Sequence, residues 1–269
     1  MAPVLVRRFL HAYVEGGPKG LCAAIYRKLA QPLRRRDGGA QASKAVEGVG
    51  VVDVVTGSVH PFDLEYGTDT GGLISGEDLS SGRWNDLWNT AYYGISPSGF
   101  NQILQALDLD WPRFTFVDLG SGKGRALLLA SRFLFRRIVG VEIAPELSAA
   151  AEVNLGRFSA PWQVCREIEV HNGDAAEFAF PAEPLVLFLF QPFLAPVLRR
   201  CLNNLMRSLA ADPREVYVVY VNPVFEEVMR QTPGLMRQWE RSFAFSDEDA
   251  LADRVGAKGE RVVVYRSAS

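Results

Sequence analysis

A glycine-rich stretch at residues 116–125 and an acidic residue about twenty positions later are the parts of this sequence best suited to chemistry. The stretch reads FVDLGSGKGR, with glycines at 120, 122 and 124. An apolar run that breaks into glycines before an apolar helix predicts a strand, a tight turn and a helix N-terminus, where a ligand can press against bare peptide groups. Glu142 ends the next apolar run, and a carboxylate at such a strand tip accepts hydrogen bonds from ribose hydroxyls. The pair therefore predicts an adenosine-containing cofactor.

Spacing separates the cofactors that use such turns. A phosphate-binding P-loop needs Gly at 117 and Ser or Thr at 124, where this chain has Val117 and Gly124. A dinucleotide fingerprint needs a small residue at 125, where this chain has Arg125. The pattern Asp-Leu-Gly-x-Gly-x-Gly, with Asp118 two residues ahead of the first glycine, resembles motif I of class I S-adenosylmethionine-dependent methyltransferases. The resemblance implies S-adenosylmethionine as cofactor, S-adenosylhomocysteine as product, and Asp118 near the aminoacyl end.

The order of the predicted elements extends this resemblance over residues 84–267. Helices are predicted at 126–135, 145–158 and 195–209, and strands at 137–143, 165–171, 185–190, 216–221, 239–245 and 261–265. Alternating strands and helices predict an α/β fold with a doubly wound sheet and right-handed crossovers. The resemblance implies a Rossmann-like sheet of seven strands, the last one antiparallel, and residues 98–269 form the predicted catalytic domain.

The resemblance also implies which residues contact the cofactor. They are Tyr93, Asp118, Gly120, Ser121, Gly122, Gly124, Glu142, Ile143, Asp174, Ala175 and Gln191. Asp174 follows the predicted third strand, where the family has an acid that contacts the adenine amine. The alternative for Asp174 is a cap on the short helix that follows it.

Gln191, Pro192 and Phe193 follow the longest apolar strand and are the predicted catalytic residues. They resemble the Asn/Asp-Pro-Pro-aromatic signature of amino-methyltransferases and the corresponding loop of Dot1-like lysine methyltransferases, where polar groups bind the target nitrogen. Gln for Asn or Asp and the missing second proline argue against DNA amino-methylation. The alternative is a strand that simply ends at a proline.

Residues 49–97 are predicted to form a lid or cap on the substrate side, because Tyr, Trp, Asp and Thr are dense there among turn-forming residues. This segment resembles that of bacterial class I methyltransferases of unassigned substrate, through an Asp-x-x-Tyr-Gly-x-Asp-Thr pattern that begins at Asp63. Tyr66, Asp69 and Tyr92, with Asn222 at a later strand tip, are the candidate substrate residues. The alternative is that the aromatic residues pack against the following helix.

Residues 1–36 form a predicted basic amphipathic helical extension, followed by a linker at 37–48. The extension has eight Lys or Arg residues and one acidic residue, Glu15, although the whole chain has a formal net charge of −2. It is expected either to contact an anionic membrane surface or acidic partner, or to pack on the catalytic domain with a solvated basic face. Organelle-targeting peptides share this composition. The acidic remainder of the chain makes nucleic acid an unfavourable partner.

The composition bounds the class of protein. A chain of 269 residues with 48% hydrophobic residues can bury one large core and an appendage. Its three cysteines lie far apart and its three histidines lack ligand spacing, so the sequence predicts a reducing, cytoplasmic location, with or without peripheral membrane contact, and no metal.

These features predict a methyltransferase that transfers the methyl group by in-line displacement to a methyl acceptor. The motif Asp-Leu-Gly-Ser-Gly-x-Gly-Arg also resembles mitochondrial lysine methyltransferases, which favours a protein lysine or other amine. A small-molecule O- or N-methyltransferase is the first alternative, supported by the hydroxyl-rich segment 62–97. A non-catalytic S-adenosylmethionine-binding or membrane-adaptor protein is the second.

Overall fold

The structure, a computed structural model, describes residues 59–74, 76, 79, 90–253 and 257–268. Seven α-helices are defined in these residues: α1 (Pro61–Tyr66), α2 (Pro97–Gln105), α3 (Arg125–Ala130), α4 (Pro145–Arg157), α5 (Ala195–Ala211), α6 (Glu226–Arg230) and α7 (Asp247–Ala252). A short antiparallel pair joins β1 (Leu73–Ile74) to β2 (Tyr92–Tyr93). The main sheet contains β3 (Thr115–Leu119), β4 (Arg137–Glu142), β5 (Ile168–Asn172), β6 (Leu185–Phe190), β7 (Val216–Val221), β8 (Leu235–Ala244) and β9 (Gly259–Ser267).

The main sheet has the strand order β5-β4-β3-β6-β7-β9-β8. Strands β3 to β7 pair in parallel, and β9 runs antiparallel to both β7 and β8. The apolar runs of β3, β6 and β7 suit strands covered on both faces. The predicted doubly wound α/β sheet of seven strands with an antiparallel last strand is confirmed.

Helices cover both faces of the sheet, so two apolar cores form. One core contains Phe100, Phe116 and Phe188 with the apolar side of α3. The other contains Leu187, Tyr220 and the buried stripe of α5. Because consecutive side chains of a strand point to opposite faces, neighbouring residues such as Leu187 and Phe188 belong to different cores. The result is a rigid sheet whose strand ends can hold a site.

Helix α3 is shorter than the predicted helix 126–135. It ends at Ala130 because the carbonyl of Ser131 accepts hydrogen bonds from the amides of Val164 and Cys165 instead of continuing the helical ladder. Phe133 and Phe135 then turn toward the ring of Trp111. The end of α3 is therefore set by a tertiary contact, which the helical periodicity of the sequence does not predict.

Part of the predicted cap is regular structure. Pro61 starts α1 after His60, whose ring nitrogen accepts the amide of Phe62, and Gly67 ends the helix in the left-handed conformation at φ 66°. The predicted extension 1–36, the linker 37–48 and the first ten residues of the cap lie outside the described residues. Among the helices that are described, none combines the length and apolarity needed to cross a bilayer.

Replacing Phe188 with alanine should destabilise the fold strongly. Its fully buried ring packs edge-on against Phe100 and tilted against Phe116. We expect the free energy of unfolding to fall by about 3–5 kcal/mol, the usual cost of a Phe-to-Ala cavity. Urea denaturation measures this, with Leu64→Ala at a 70% exposed position as the control. A loss below about 1 kcal/mol would contradict this packing.

Candidate functional site

The candidate site lies where the strand order of the sheet reverses. From β3 the chain crosses to β4 on one side, whereas β6 pairs with β3 on the other. Ligands of open α/β sheets bind in the crevice at the carboxyl ends of such strands. Here a cavity of about 870 Å³, part of it open solvent, is lined by residues that follow β3, β4 and β6 and by residues 90–95.

The loop of residues 120–124, called the glycine loop below, lets other segments approach the main chain. Gly120, Gly122 and Gly124 have φ of 83°, 54° and 86°, in the region that favours glycine. A Cβ on Gly120 would lie 2.4 Å from Cβ of Pro192, and one on Gly122 would lie 2.2 Å from the ring of Tyr92. The glycines are therefore needed for both backbone conformation and space.

Glu142 stands at the tip of β4 with its carboxylate fixed by the main chain. Its Oε2 accepts the amide of Gly122 and its Oε1 accepts the amide of Ala144, each at 2.8 Å. Burial raises the pKa of Glu142, although these backbone amides oppose the increase. Glu142 lines the cavity, and a carboxylate has further lone pairs that can accept hydrogen bonds.

Asp118 and Ser121 bring polar atoms without partners to the cavity. Asp118 is 3% exposed, and within the described part of the chain no hydrogen bond or ion pair to it is found. Burial, and then the nearby charge of Glu142, raise the pKa of Asp118 to about 8. The buried hydroxyl of Ser121 also has no hydrogen-bond partner in the described residues. Such orphaned groups call for a ligand that carries a cation and hydrogen-bonding groups.

Asp174 caps the short helix, which is the alternative that the sequence offered, and it also lies at the cavity. Its Oδ1 caps a 3₁₀ turn (Ala175–Glu177) by accepting the amide of Ala176 at 2.9 Å. Asp174 and Ala175 also line the cavity, together with Ile143. The cap therefore holds the aspartate at the cavity wall with its other oxygen still available.

The residues after β6 differ in their relation to the cavity. Pro192 and Phe193 line it, whereas Gln191 is not among the lining residues. Gln191 has φ 42°, and its carbonyl accepts the hydroxyl of Thr90 at 2.8 Å. Its backbone thus turns the chain so that Pro192 can reach the glycine loop.

Aromatic rings form one wall of the cavity. Tyr93 packs edge-on against Phe190 with ring centroids 5.0 Å apart, and both line the cavity. Tyr92 also lines it, with its hydroxyl donated to the carbonyl of Thr70 at 2.7 Å. This wall can exclude water from a reacting group.

The other candidate substrate residues lie outside the cavity lining. Tyr66 accepts a hydrogen bond from Trp162 Nε1 at 2.9 Å, and Asp69 accepts one from Lys123 Nζ at 3.0 Å. Asn222, at the tip of β7 with φ 49°, donates its amide to Glu260, whose pKa is raised to about 7 by burial. Of the four candidates, the structure brings only Tyr92 to the cavity.

The sequence did not single out a buried ion pair beside the glycine loop. Arg125 lines the cavity and donates to Asp63 at 3.1 Å and to Thr70 Oγ1 at 2.7 Å. Asp63 begins the Asp-x-x-Tyr-Gly-x-Asp-Thr pattern, and Arg125 occupies the position that excluded a dinucleotide. Both residues stand in patterns that the sequence shows, but no local pattern indicates that they form an ion pair across 62 residues.

Comparison with protein families gives one match over this site. A family model described as histone methylation protein DOT1 matches residues 82–166, less than half of the chain. The match contains the glycine loop and Glu142 and ends before the loop at Gln191. It confirms the predicted resemblance to class I methyltransferases. Comparison with curated proteins gave no match.

Several solved methyltransferase structures resemble the fold. TrmN from Thermus thermophilus is 16% identical with a TM-score of 0.45, covering 65% of this chain but only 49% of its own. A putative methyltransferase from Haloferax volcanii, in complex with the activator Trm112, is 17% identical with a TM-score of 0.46 and coverages of 64% and 89%. Geranyl diphosphate C-methyltransferase from Streptomyces coelicolor, in complex with Mg²⁺, geranyl diphosphate and S-adenosylhomocysteine, is 10% identical with a TM-score of 0.43 and coverages of 63% and 76%. At these identities the likeness concerns the fold alone.

Replacing Asp118 with asparagine should stabilise the ligand-free protein at high pH. Because the pKa of Asp118 is about 8 in the folded chain against an ordinary value of 3.8, the folded chain binds more protons than the unfolded chain between these values. The stability contributed by Asp118 therefore falls as pH rises from about 4 to about 8. We expect the free energy of unfolding of the variant, relative to that of the wild type, to rise by about 1–4 kcal/mol between pH 5 and pH 8, since one pKa unit corresponds to about 1.4 kcal/mol.

Urea denaturation at the two pH values measures this difference. The matched control is Asp108→Asn, an exposed position with φ 49° that asparagine also tolerates. If the pH dependence of the Asp118 variant equals that of the wild type, Asp118 does not carry an uncompensated buried charge.

Proposed function

We propose that this protein is an S-adenosylmethionine-dependent methyltransferase whose cofactor lies across the glycine loop. The observation that carries the proposal is the convergence of Asp118, Glu142 and Asp174 on one cavity around bare peptide groups. Three carboxylates around a glycine-rich turn suit a ligand with a ribose, an amine-bearing base and an ammonium group. A ligand with phosphates would be repelled by the same charges.

Glu142 suits the ribose end of this cofactor. The two backbone amides fix the plane of its carboxylate, so binding need not immobilise a free side chain. The remaining lone pairs can accept the two ribose hydroxyls. Ile143 lies next to it on the cavity wall and offers apolar contact to the base.

Asp118 suits the aminoacyl end. Its buried carboxylate lacks a partner in the described residues, and an ammonium group beside it would favour the ionised form and lower its pKa. The unpaired hydroxyl of Ser121 offers a donor and an acceptor nearby. Asp174, with one oxygen used as a cap, retains the other for the exocyclic amine of the base.

S-adenosylmethionine, when bound, supplies a methyl group already activated by its sulfonium. The protein's residues then have to bind, orient and keep the site dry, because in-line transfer depends on alignment. Tyr93, Phe190 and Phe193 provide apolar cover at the cavity wall. Pro192, packed on Gly120, holds the loop after β6 against the glycine loop.

We propose a protein lysine or other amine as the methyl acceptor. The match to a family described as histone methylation protein DOT1 supports this choice. The basic extension 1–36 would suit an acidic or membrane-associated protein target, whereas the net acidic remainder of the chain would weaken phosphate contacts. Gln191, Pro192 and Phe193 stay the proposed catalytic residues; Pro192 and Phe193 line the cavity, and Gln191 precedes them without lining it.

Calorimetric titration with S-adenosylhomocysteine tests the cofactor. Glu142→Ala should weaken binding at least about tenfold, since hydrogen bonds to a charged group contribute roughly 1.5–3 kcal/mol and 1.4 kcal/mol is a factor of ten. Glu142→Gln, which keeps one acceptor oxygen for a backbone amide, should also weaken it while disturbing the fold less. Thermal melts of both variants establish that they remain folded.

The matched control is Glu177→Ala. Glu177 lies on the 3₁₀ turn beside Asp174, and its exposed side chain forms a 3.7 Å ion pair with Arg200. It should leave the affinity unchanged. The proposed cofactor site would be refuted if Glu142→Ala bound S-adenosylhomocysteine as tightly as the wild type does. It would also be refuted if the wild type did not bind S-adenosylhomocysteine.

Transfer of a tritiated methyl group into host lysate tests the acceptor. We expect label in the protein fraction, and in acid hydrolysates as methylated lysine. Label in small metabolites would instead establish the small-molecule alternative, and label in nucleic acid would contradict the charge argument. Binding of S-adenosylhomocysteine without transfer to any fraction would support the non-catalytic alternative.

A further inference from the structure

Residues 60–72, called the strap below, lie against the glycine loop. The strap contains α1 and the turn that follows it, and it ends where β1 begins. In the sequence the strap resembled a substrate cap. Its contacts are directed instead to Lys123 and Arg125, the two basic side chains in and directly after the glycine loop.

A buried ion pair forms the first attachment. Arg125 Nη2 lies 3.1 Å from Asp63 Oδ2, and the two side chains are 4% and 1% exposed. Burial alone would raise the pKa of Asp63, but Arg125 and the hydroxyls of Thr70 and Thr68 prevail and lower it, so Asp63 is ionised at neutral pH. Because each buried charge needs the other as its partner, the ion pair favours one relative position of α1 and α3.

Thr70 is the second attachment and contacts the loop from two directions. Its hydroxyl accepts Arg125 Nε at 2.7 Å and donates to Asp63 Oδ1 at 2.6 Å. Its carbonyl accepts the hydroxyl of Tyr92 at 2.7 Å. The ring of Tyr92 in turn occupies the space that a Cβ of Gly122 would need. Thr70 therefore reaches the loop through both Arg125 and Tyr92.

Lys123 and Asn154 form the third attachment. Lys123 Nζ donates to Asp69 Oδ1 at 3.0 Å and to the carbonyl of Gly71 at 3.1 Å. The side-chain amide of Asn154, from α4, donates to the carbonyls of both Asp69 and Lys123 at 2.9 Å, and its oxygen accepts the amide of Asp69 at 2.8 Å. Asn154 thus joins the main chains of the strap and the loop.

The glycine loop needs such support for a physical reason. Glycine has more conformational freedom than other residues when the chain is not ordered, so fixing three glycines in five residues costs conformational entropy. If the ligand had to order the loop on binding, this entropy cost would lower its affinity. The basic side chains at positions 123 and 125 allow another segment to fix the loop through ion pairs and hydrogen bonds.

We propose that the strap is a positioning element for the cofactor loop, which it holds in the ligand-binding conformation through Asp63, Asp69 and Thr70. The strap sets the affinity for the cofactor, and Arg125, Lys123 and Tyr92 act as positioning residues. Asp69 and Tyr92 are thereby assigned to loop support and not to the acceptor. The nature of the ligand rests on the proposed function, whereas the support of the loop does not.

The experiment uses two variants that keep most of the side chain. Tyr92→Phe removes the hydroxyl that Tyr92 donates to the strap carbonyl of Thr70, and Thr70→Val removes the strap hydroxyl that accepts Arg125 Nε. Tyr66→Phe is the matched control, because it removes a hydrogen bond from the same segment that goes to Trp162 and not to the loop. Three quantities are measured in the full chain: the melting temperature, the hydrogen exchange of the loop amides without ligand, and the affinity for S-adenosylhomocysteine. Thr70→Ser tests rescue, since it restores the hydroxyl.

We expect faster exchange at Gly122 and Gly124, whose amides are bonded to Glu142 and Ser121, in Tyr92→Phe and Thr70→Val. We also expect an affinity about tenfold weaker, as for the loss of one hydrogen bond that orders the site. Tyr66→Phe should lower the melting temperature but leave loop exchange and affinity unchanged, and Thr70→Ser should restore both.

If the hydrogen exchange of the loop amides were unchanged in both variants, the proposal that the strap supports the loop would be wrong, whatever the ligand is. Faster exchange with unchanged affinity would overturn the claim that the strap sets cofactor binding. If the wild type does not bind S-adenosylhomocysteine, the proposed function fails, and the exchange measurement still decides whether the strap supports the loop.

Discussion

The structure depends on the absence of side chains at the turn that leaves β3. Gly120, Gly122 and Gly124 allow the left-handed backbone, and they also leave space that other segments occupy. Pro192 fills the space at Gly120 and Tyr92 fills that at Gly122. The loop after β6 and the strand β2 can therefore meet at one point of the sheet edge. These cavity walls form because two distant segments pack on the same main chain, which carries no side chains there.

Charge is compensated where the strap packs on this loop, but not around Asp118. Lys123 and Arg125 form ion pairs with Asp69 and Asp63 of the strap. At the cavity, burial and then the nearby charge of Glu142 raise the pKa of Asp118, and Asp118 has no cationic partner in the described residues. The ligand-free site thus holds unfavourable electrostatic energy that a cationic ligand would relieve. An ammonium group of the proposed cofactor beside Asp118 would supply this relief.

The described part of residues 49–97 makes two separate sets of contacts. The sequence treated residues 49–97 as a single cap over the acceptor. In the structure, residues 60–72 contact the glycine loop, whereas Thr90 and Tyr93 contact the loop after β6 and the aromatic wall. If the strap proposal holds, cofactor affinity and acceptor access are governed by separate parts of this segment. Such a division would let the acceptor side vary without loosening the cofactor loop.

Local patterns in the sequence were enough to predict the sheet, the glycine loop and the acid at the tip of β4. These follow from local patterns, because apolar runs define strands and glycine spacing defines the turn within a few residues. No local pattern predicted that Arg125 pairs with Asp63, that Tyr66 contacts Trp162 or that α3 ends at Ala130. Each of these depends on which residues the crossovers bring together over long separations. Packing and burial, not local propensity, select those contacts.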